Sequence, residues 1–125
     1  MIRVLFMALL LAVLAPGNHP AISQPVNPLY SGNELLAACR LAIGTERPGG
    51  ADLVKATYCV GVVTTLISIG SMLQPGDRFC FPKGENTEQA VQVVVAVLEM
   101  KPSVLDLDFR FLALTAMKGA WPCKP

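Results

Sequence analysis

Histidine is almost missing from this sequence. The single one, His19, lies in the first 23 residues, MIRVLFMALLLAVLAPGNHPAIS, and goes with them if that stretch is removed. Without an imidazole, Ser-His and Cys-His nucleophilic catalysis and the usual zinc hydrolase sites are excluded together. Charge is also scarce, at 15% of residues. Taking Arg3 from the ten basic residues leaves nine against nine acidic ones. That balance excludes nucleic acid and anionic surfaces as partners on electrostatic grounds. No two cysteines form a CxxC pair, so neither a zinc ribbon nor a thioredoxin-like redox site is supported. No cofactor, metal ligand or catalytic residue is expected.

What is present at the start is one arginine, an unbroken apolar run from Val4 to Ala15, and a helix-breaking Pro16-Gly17. This is the pattern of a secretory signal peptide. Ala21 and Ser23 supply small residues at minus three and minus one, which sets residues 1–23 as the signal and Gln24 as the mature start. An uncleaved anchor is disfavoured, because the run falls short of the roughly 20 residues that a spanning helix needs. The protein is therefore expected to be exported, as a single domain over residues 24–125. A domain of that size gains only a narrow margin from apolar burial and benefits from covalent cross-links.

The four cysteines, Cys39, Cys59, Cys80 and Cys123, supply such links. An even number in an exported chain reads as a disulfide framework. The segments between them read as helices. SGNELLAACRLAIG has Ser31 or Asn33 as cap, Glu34 in the first turn and Gly44 at the end. Ala51 to Leu73 is long, and its last eighteen residues, from Ala56, carry no charge. A membrane span is weighed against helical segregation: Thr57, Gly61, Thr64, Thr65, Ser68 and Ser71 on one face, Tyr58, Val62, Leu66, Ile69 and Leu73 on the other. That segregation favours a helix packed in a bundle, its bulky face inward and its small-polar stripe exposed or closely approached by a neighbour.

Gln74-Pro75-Gly76-Asp77 reads as a turn, with positive φ expected at Gly76. TEQAVQVVVAVLEMK is strand-like by its valines but framed as a helix by Asn86 and Gln89 in a capping box, Glu88 in the first turn and Pro102 beyond the end. It is apolar nearly all round, so it belongs at the bundle centre or at a subunit interface. A last helix starts at Asp106 or Asp108 and runs to about Lys118, followed by Gly119 and Pro122. Trp121 is expected to pack over a bridge or close one end of the core. The fold class is thus all-α, a disulfide-bonded bundle of about four helices.

Helix geometry then chooses among the possible cysteine pairings. In an antiparallel hairpin, Cys39 lies a turn before the end of the first helix and Cys59 two turns into the second, at comparable heights. Cys80 precedes the third helix, and Cys123 follows the fourth as it returns to the same end. The expected bridges are Cys39–Cys59 and Cys80–Cys123.

The ordered set NELLAAC, YCVG at 58–61, FCFP at 79–82, EQAVQVVVAVLEMKP and AWPC resembles the Rap/Tai immunity proteins, periplasmic inhibitors of the peptidoglycan amidase effectors of type VI secretion systems. The resemblance implies an all-helical, disulfide-bonded, often dimeric domain. It also implies that a surface element enters and blocks the active groove of a cell-wall hydrolase.

Three function classes follow. In the first, a non-enzymatic inhibitor, the loop from Gln74 to Asn86 meets the toxin: Asp77, Arg78, Lys83 and Glu85 are polar contacts beside Phe79 and Phe81, one of which belongs to the core. The second is an acid-activated periplasmic chaperone, which the low charge content disfavours. The third is an enzyme using Asp106 and Asp108, but positions i and i+2 on a helix do not face each other.

Overall fold

The computed structural model describes residues 25 and 27–125; the expected signal peptide and its cleavage point lie outside them. Four α-helices make the domain: α1 Gly32–Ala42, α2 Gly50–Ile69, α3 Thr87–Glu99 and α4 Phe109–Ala120. Short 3₁₀ turns at Pro28–Tyr30, Gly70–Met72 and Pro102–Val104 lie before α1, after α2 and between α3 and α4. Among the described residues there is no β-strand, only an isolated antiparallel bridge between Ser31 and Asp108.

Three of the four helices begin at a side-chain cap, while α2 starts at Gly49 without one. Ser31, not Asn33, is the cap of α1. The leading N–H groups of α1 find acceptors elsewhere in the chain: Gly32 N donates to Leu107 O at 2.9 Å and Asn33 N to Leu105 O at 2.8 Å. Groups that would otherwise lack helical partners therefore dock α1 onto the loop before α4. The α3 capping box forms in both directions, Gln89 N to Asn86 Oδ1 and Asn86 N to Gln89 Oε1, each at 2.9 Å. Those two bonds settle helix over strand for the valine-rich segment. Asp108, not Asp106, caps α4.

The core is one cluster of Leu35, Leu36 and Cys39 from α1, Cys59 and Val63 from α2, Ala90, Val91, Val94, Val95 and Leu98 from α3, and Phe109, Leu112, Ala113, Ala116 and Met117 from α4. α3 packs against all three other helices, as each of them does, and keeps Glu88, Gln92 and Glu99 exposed on its outer face, so it is not enclosed on all sides. Both bridges form as expected, Cys39–Cys59 and Cys80–Cys123. The first joins α1 to α2, the helix pair with the most extensive contact. Ion pairs Lys55–Glu34, at 2.6 Å, and Arg40–Glu99, at 2.8 Å, tie α1 to α2 and to α3 at the surface.

α2 corrects the sequence expectation in its rotation. Its buried residues are Ala56, Cys59 and Val63, continued by Gly70 in the following turn, whereas Tyr58, Val62, Leu66, Ile69 and Leu73 are only half-buried along its flank. The small-polar stripe is exposed, and Thr65 and Ser68 turn their hydroxyls back to the carbonyls of Gly61 and Thr64 at 2.8 and 3.0 Å. By length and composition, Gly50–Met72 could cross a membrane. In this fold it contributes Cys59 and Val63, both 0% exposed, to the core.

Candidate functional site

The segment from Leu73 to Asn86 connects the end of α2 to α3 and is the longest irregular stretch between helices. It starts with a turn in which Asp77 N bonds Gln74 O at 2.8 Å, as the Gln-Pro-Gly-Asp pattern asks. Gly76 does not take the positive φ expected of it. Arg78 N also reaches Gln74 O, at 2.9 Å, so the chain winds on right-handed instead of reversing as a type II turn would.

The next residue is the loop's root. Phe79 is 1% exposed and its backbone N–H bonds Gly70 O at 3.2 Å. Its ring lies directly on Gly70, whose missing side chain is what lets it approach. Phe79 is therefore core and is removed from the expected contact residues, because no partner can reach it. Cys80 follows, bridged to Cys123, with its N–H donating to Trp121 O at 2.8 Å. Phe81 is half-buried and meets Trp121 edge to face, ring centroids 4.8 Å apart at 79°. Trp121 thus packs beside the bridge, half-buried between Phe81 and the core cluster.

Beyond Phe81 the chain turns at Lys83-Gly84, where Gly84 has φ of 95°, a backbone conformation natural only to glycine. It then enters α3 through the Asn86 cap. Asp77, Arg78, Lys83 and Glu85 are all exposed. Asp77 forms an ion pair with Lys118 of α4 at 3.1 Å, and Arg78 Nε donates to Leu73 O at 3.2 Å. Arg78, Lys83 and Glu85 have no ion-pair partner among the described residues. The structure thus brings five of the six expected residues to one accessible loop, held at its root by Phe79 and at its side by the bridge. Trp121 and Lys118 brace this loop but escape a reading by motif, since each is some 40 residues from its partner; the proximity of Trp121 to Cys123 was the one available signal.

A second accessible feature lies along the flank of α2. Tyr58, Gly61, Val62, Thr65, Leu66 and Arg110 line an open groove of about 400 Å³, and an adjoining one of about 330 Å³ is lined by residues including Leu29, Tyr30, Val54 and Tyr58. Tyr30 and Tyr58 rings meet at 5.1 Å. Arg110 grips Asp108 through both Nε, at 2.9 Å, and a terminal nitrogen, at 2.6 Å. This guanidinium holds the Asp108 carboxyl below the usual carboxylate range, against the opposing pull of partial burial. The same pairing raises the pKa of Arg110. Asp108 therefore serves as cap and ion-pair partner, while Asp106 is exposed. Among the described residues, no group of three or more His, Cys, Asp or Glu side chains could hold a metal ion.

A small helical bundle, cross-linked twice and presenting a pinned loop, has the build of a protein that works by contact. Residues 31–123 match the model of the Rap1a immunity proteins, and the chain belongs to that family. No curated protein and no solved structure matches it. Membership gives the chain an immunity-protein role, with a toxin effector as its binding partner.

Proposed function

We propose that this chain is exported to the periplasm, that residues 24–125 are the working domain, and that it neutralises a peptidoglycan amidase effector by seating the loop from Gln74 to Asn86 in the enzyme's active groove. It does so without chemistry of its own and without a cofactor. The observation that carries this reading is the contrast within the loop. Its root is immobilised by Phe79 in the core and by the Cys80–Cys123 bridge, while Arg78, Lys83 and Glu85 stand exposed and, among the described residues, free of ion pairs. A loop ordered before binding loses little entropy on docking, so more of its contact energy is available as affinity. Phe81, supported from behind by Trp121, offers the apolar part of the contact.

The groove along α2 supports a further element of this reading, a homodimer in which two copies share the largely apolar flank around Tyr58 and Leu66, with Arg110 at its edge. Sedimentation of the parent and of a Leu66→Glu variant tests it: the parent is expected as a dimer and the variant as a monomer.

The loop assignment is tested by replacing Arg78 and Lys83 together with alanine and titrating a peptidoglycan amidase effector that the parent chain inhibits. A loss of inhibition with an unchanged melting temperature is expected. Unaltered inhibition and affinity show that another surface makes the contact.

A further inference from the structure

We propose that the two disulfides are unequal, and that Cys80–Cys123 is a redox latch on the toxin-facing loop. Its reduction by a dithiol frees residues 80–85 and the tail 121–125 while the helical core and the Cys39–Cys59 bridge stay intact. The regulatory meaning of the latch rests on the loop reading above; its chemistry does not.

Access separates the bridges first. Cys39 and Cys59 are each 0% exposed, sealed between α1 and α2. Cys80 is exposed and Cys123 half-buried. Thiol–disulfide exchange needs a thiolate to reach a sulfur of the bridge, so the inner bridge reacts only after the core opens, whereas the outer one can react in the folded protein. The thiolate of a dithiol attacks Cys80 Sγ, forming a mixed disulfide, and Cys123 leaves as a thiolate that takes a proton from water. The second thiolate of the reductant then closes on its own bound sulfur and expels Cys80. Two electrons pass to the protein, which gains two thiols, and the reductant becomes a disulfide.

The second observation concerns what else holds the segments that the bridge joins. The inner part of the loop has independent anchors: Phe79 in the core, the hydrogen bonds to Gln74 O and Gly70 O, and the Asp77–Lys118 pair. Asn86 is held by the capping box of α3. Residues 80–85 and the tail are otherwise held only near the bridge: by one backbone bond, Cys80 N to Trp121 O, by the bond from Trp121 N to Met117 O, and by the rings of Phe81 and Trp121, which meet each other and rest half-buried against the core. Lys83 and Glu85 beyond them have no side-chain anchor among the described residues. Reduction therefore releases Lys83 and Glu85 and leaves Asp77 and Arg78 in place, dividing the contact surface in two.

The oxidised mature chain, titrated with dithiothreitol, alkylated and mapped by mass spectrometry, is expected to carry label on Cys80 and Cys123 before Cys39 and Cys59, with its far-ultraviolet helical signal unchanged at that stage. Labelling of all four together, prior labelling of the inner pair, or loss of helicity with the first pair overturns the proposal. In a Cys80→Ser/Cys123→Ser variant, amide exchange at 80–85 and 121–125 is expected to rise at least tenfold with the interiors of α1 to α3 unchanged; unaltered exchange in those segments is equally fatal. Toward a peptidoglycan amidase effector, this variant is expected to bind at least tenfold more weakly than the oxidised parent, and equal affinity refutes the latch as a regulator. If the oxidised parent itself fails to bind, the loop reading falls, and the order of labelling still decides the fate of the bridge chemistry.

Discussion

A methyl group at position 70 would lie 2.5 to 2.8 Å from three carbons of the Phe79 ring, which is itself buried and has no room to retreat. Gly70→Ala is accordingly expected to destabilise the domain by about 1–3 kcal/mol through overpacking, read as a lower urea midpoint with an unchanged slope. Asp108 tests charge at the same scale. Its carboxyl has a depressed pKa, chiefly through the Arg110 hydrogen bond, so its contribution to stability is complete above the unfolded value of about 3.9 and is withdrawn as pH falls through the lower folded one. Asp108→Asn keeps a capping side chain and loses the charge, so its melting-temperature deficit should be clear at pH 6 and shrink toward pH 3. Asp108→Ala also loses the cap, at about 1 kcal/mol more. Such caps were legible in the sequence to within two candidates, Asp106 or Asp108 here and Ser31 or Asn33 in α1, because a cap is local chemistry, fixed by a residue and those that follow it. The choice between Phe79 and Phe81 was not, since both flank Cys80 and only the position of Gly70 in the folded chain shows which ring goes inward.

At the scale of elements, the helices were readable and their rotation was not. The framing of α3 by Asn86, Gln89 and Pro102 outweighed its valines, and the capping box that results is testable: Asn86→Ala should cost about 1 kcal/mol in chemical denaturation, with amide exchange rising first in the opening turn of α3. For α2 the apolar residues are distributed almost evenly around the axis, so periodicity carries little angular information. What turns the helix is the Cys39–Cys59 bridge and the fit of Val63 into the core, both properties of neighbours. The bulky stripe expected inside became a half-buried flank, and the groove with Arg110 at its edge appeared only once α4 was placed beside it. The Gln74 turn failed in the same way: glycine permits positive φ, but Arg78 closing on Gln74 O leaves Gly76 no need of it.

For the molecule as a whole, covalent topology carries much of the stability. The bridges close segments with sequence separations of 20 and 43 residues, and on the chain-entropy model they contribute about 3 and about 4 kcal/mol, a large share of the net stability of a domain this small. Replacing Cys39 and Cys59 together by alanine should lower the free energy of unfolding by about 3 kcal/mol or more, because two buried sulfur atoms are lost as well. The pairing was accessible from the sequence through the heights of the cysteines on antiparallel helices; the exposure that distinguishes the two bridges was not, since it depends on where the tail comes to rest. The way the loop is fastened has an evolutionary consequence. Its fixings, at Phe79, Cys80 and Asn86, stand on either side of Pro82–Glu85 and owe nothing to the side chains of Pro82, Lys83 and Glu85. Those three positions can therefore drift, or be randomised with Gly84 retained, without a folding penalty, which gives a lineage of such chains a cheap way to follow toxins whose grooves diverge.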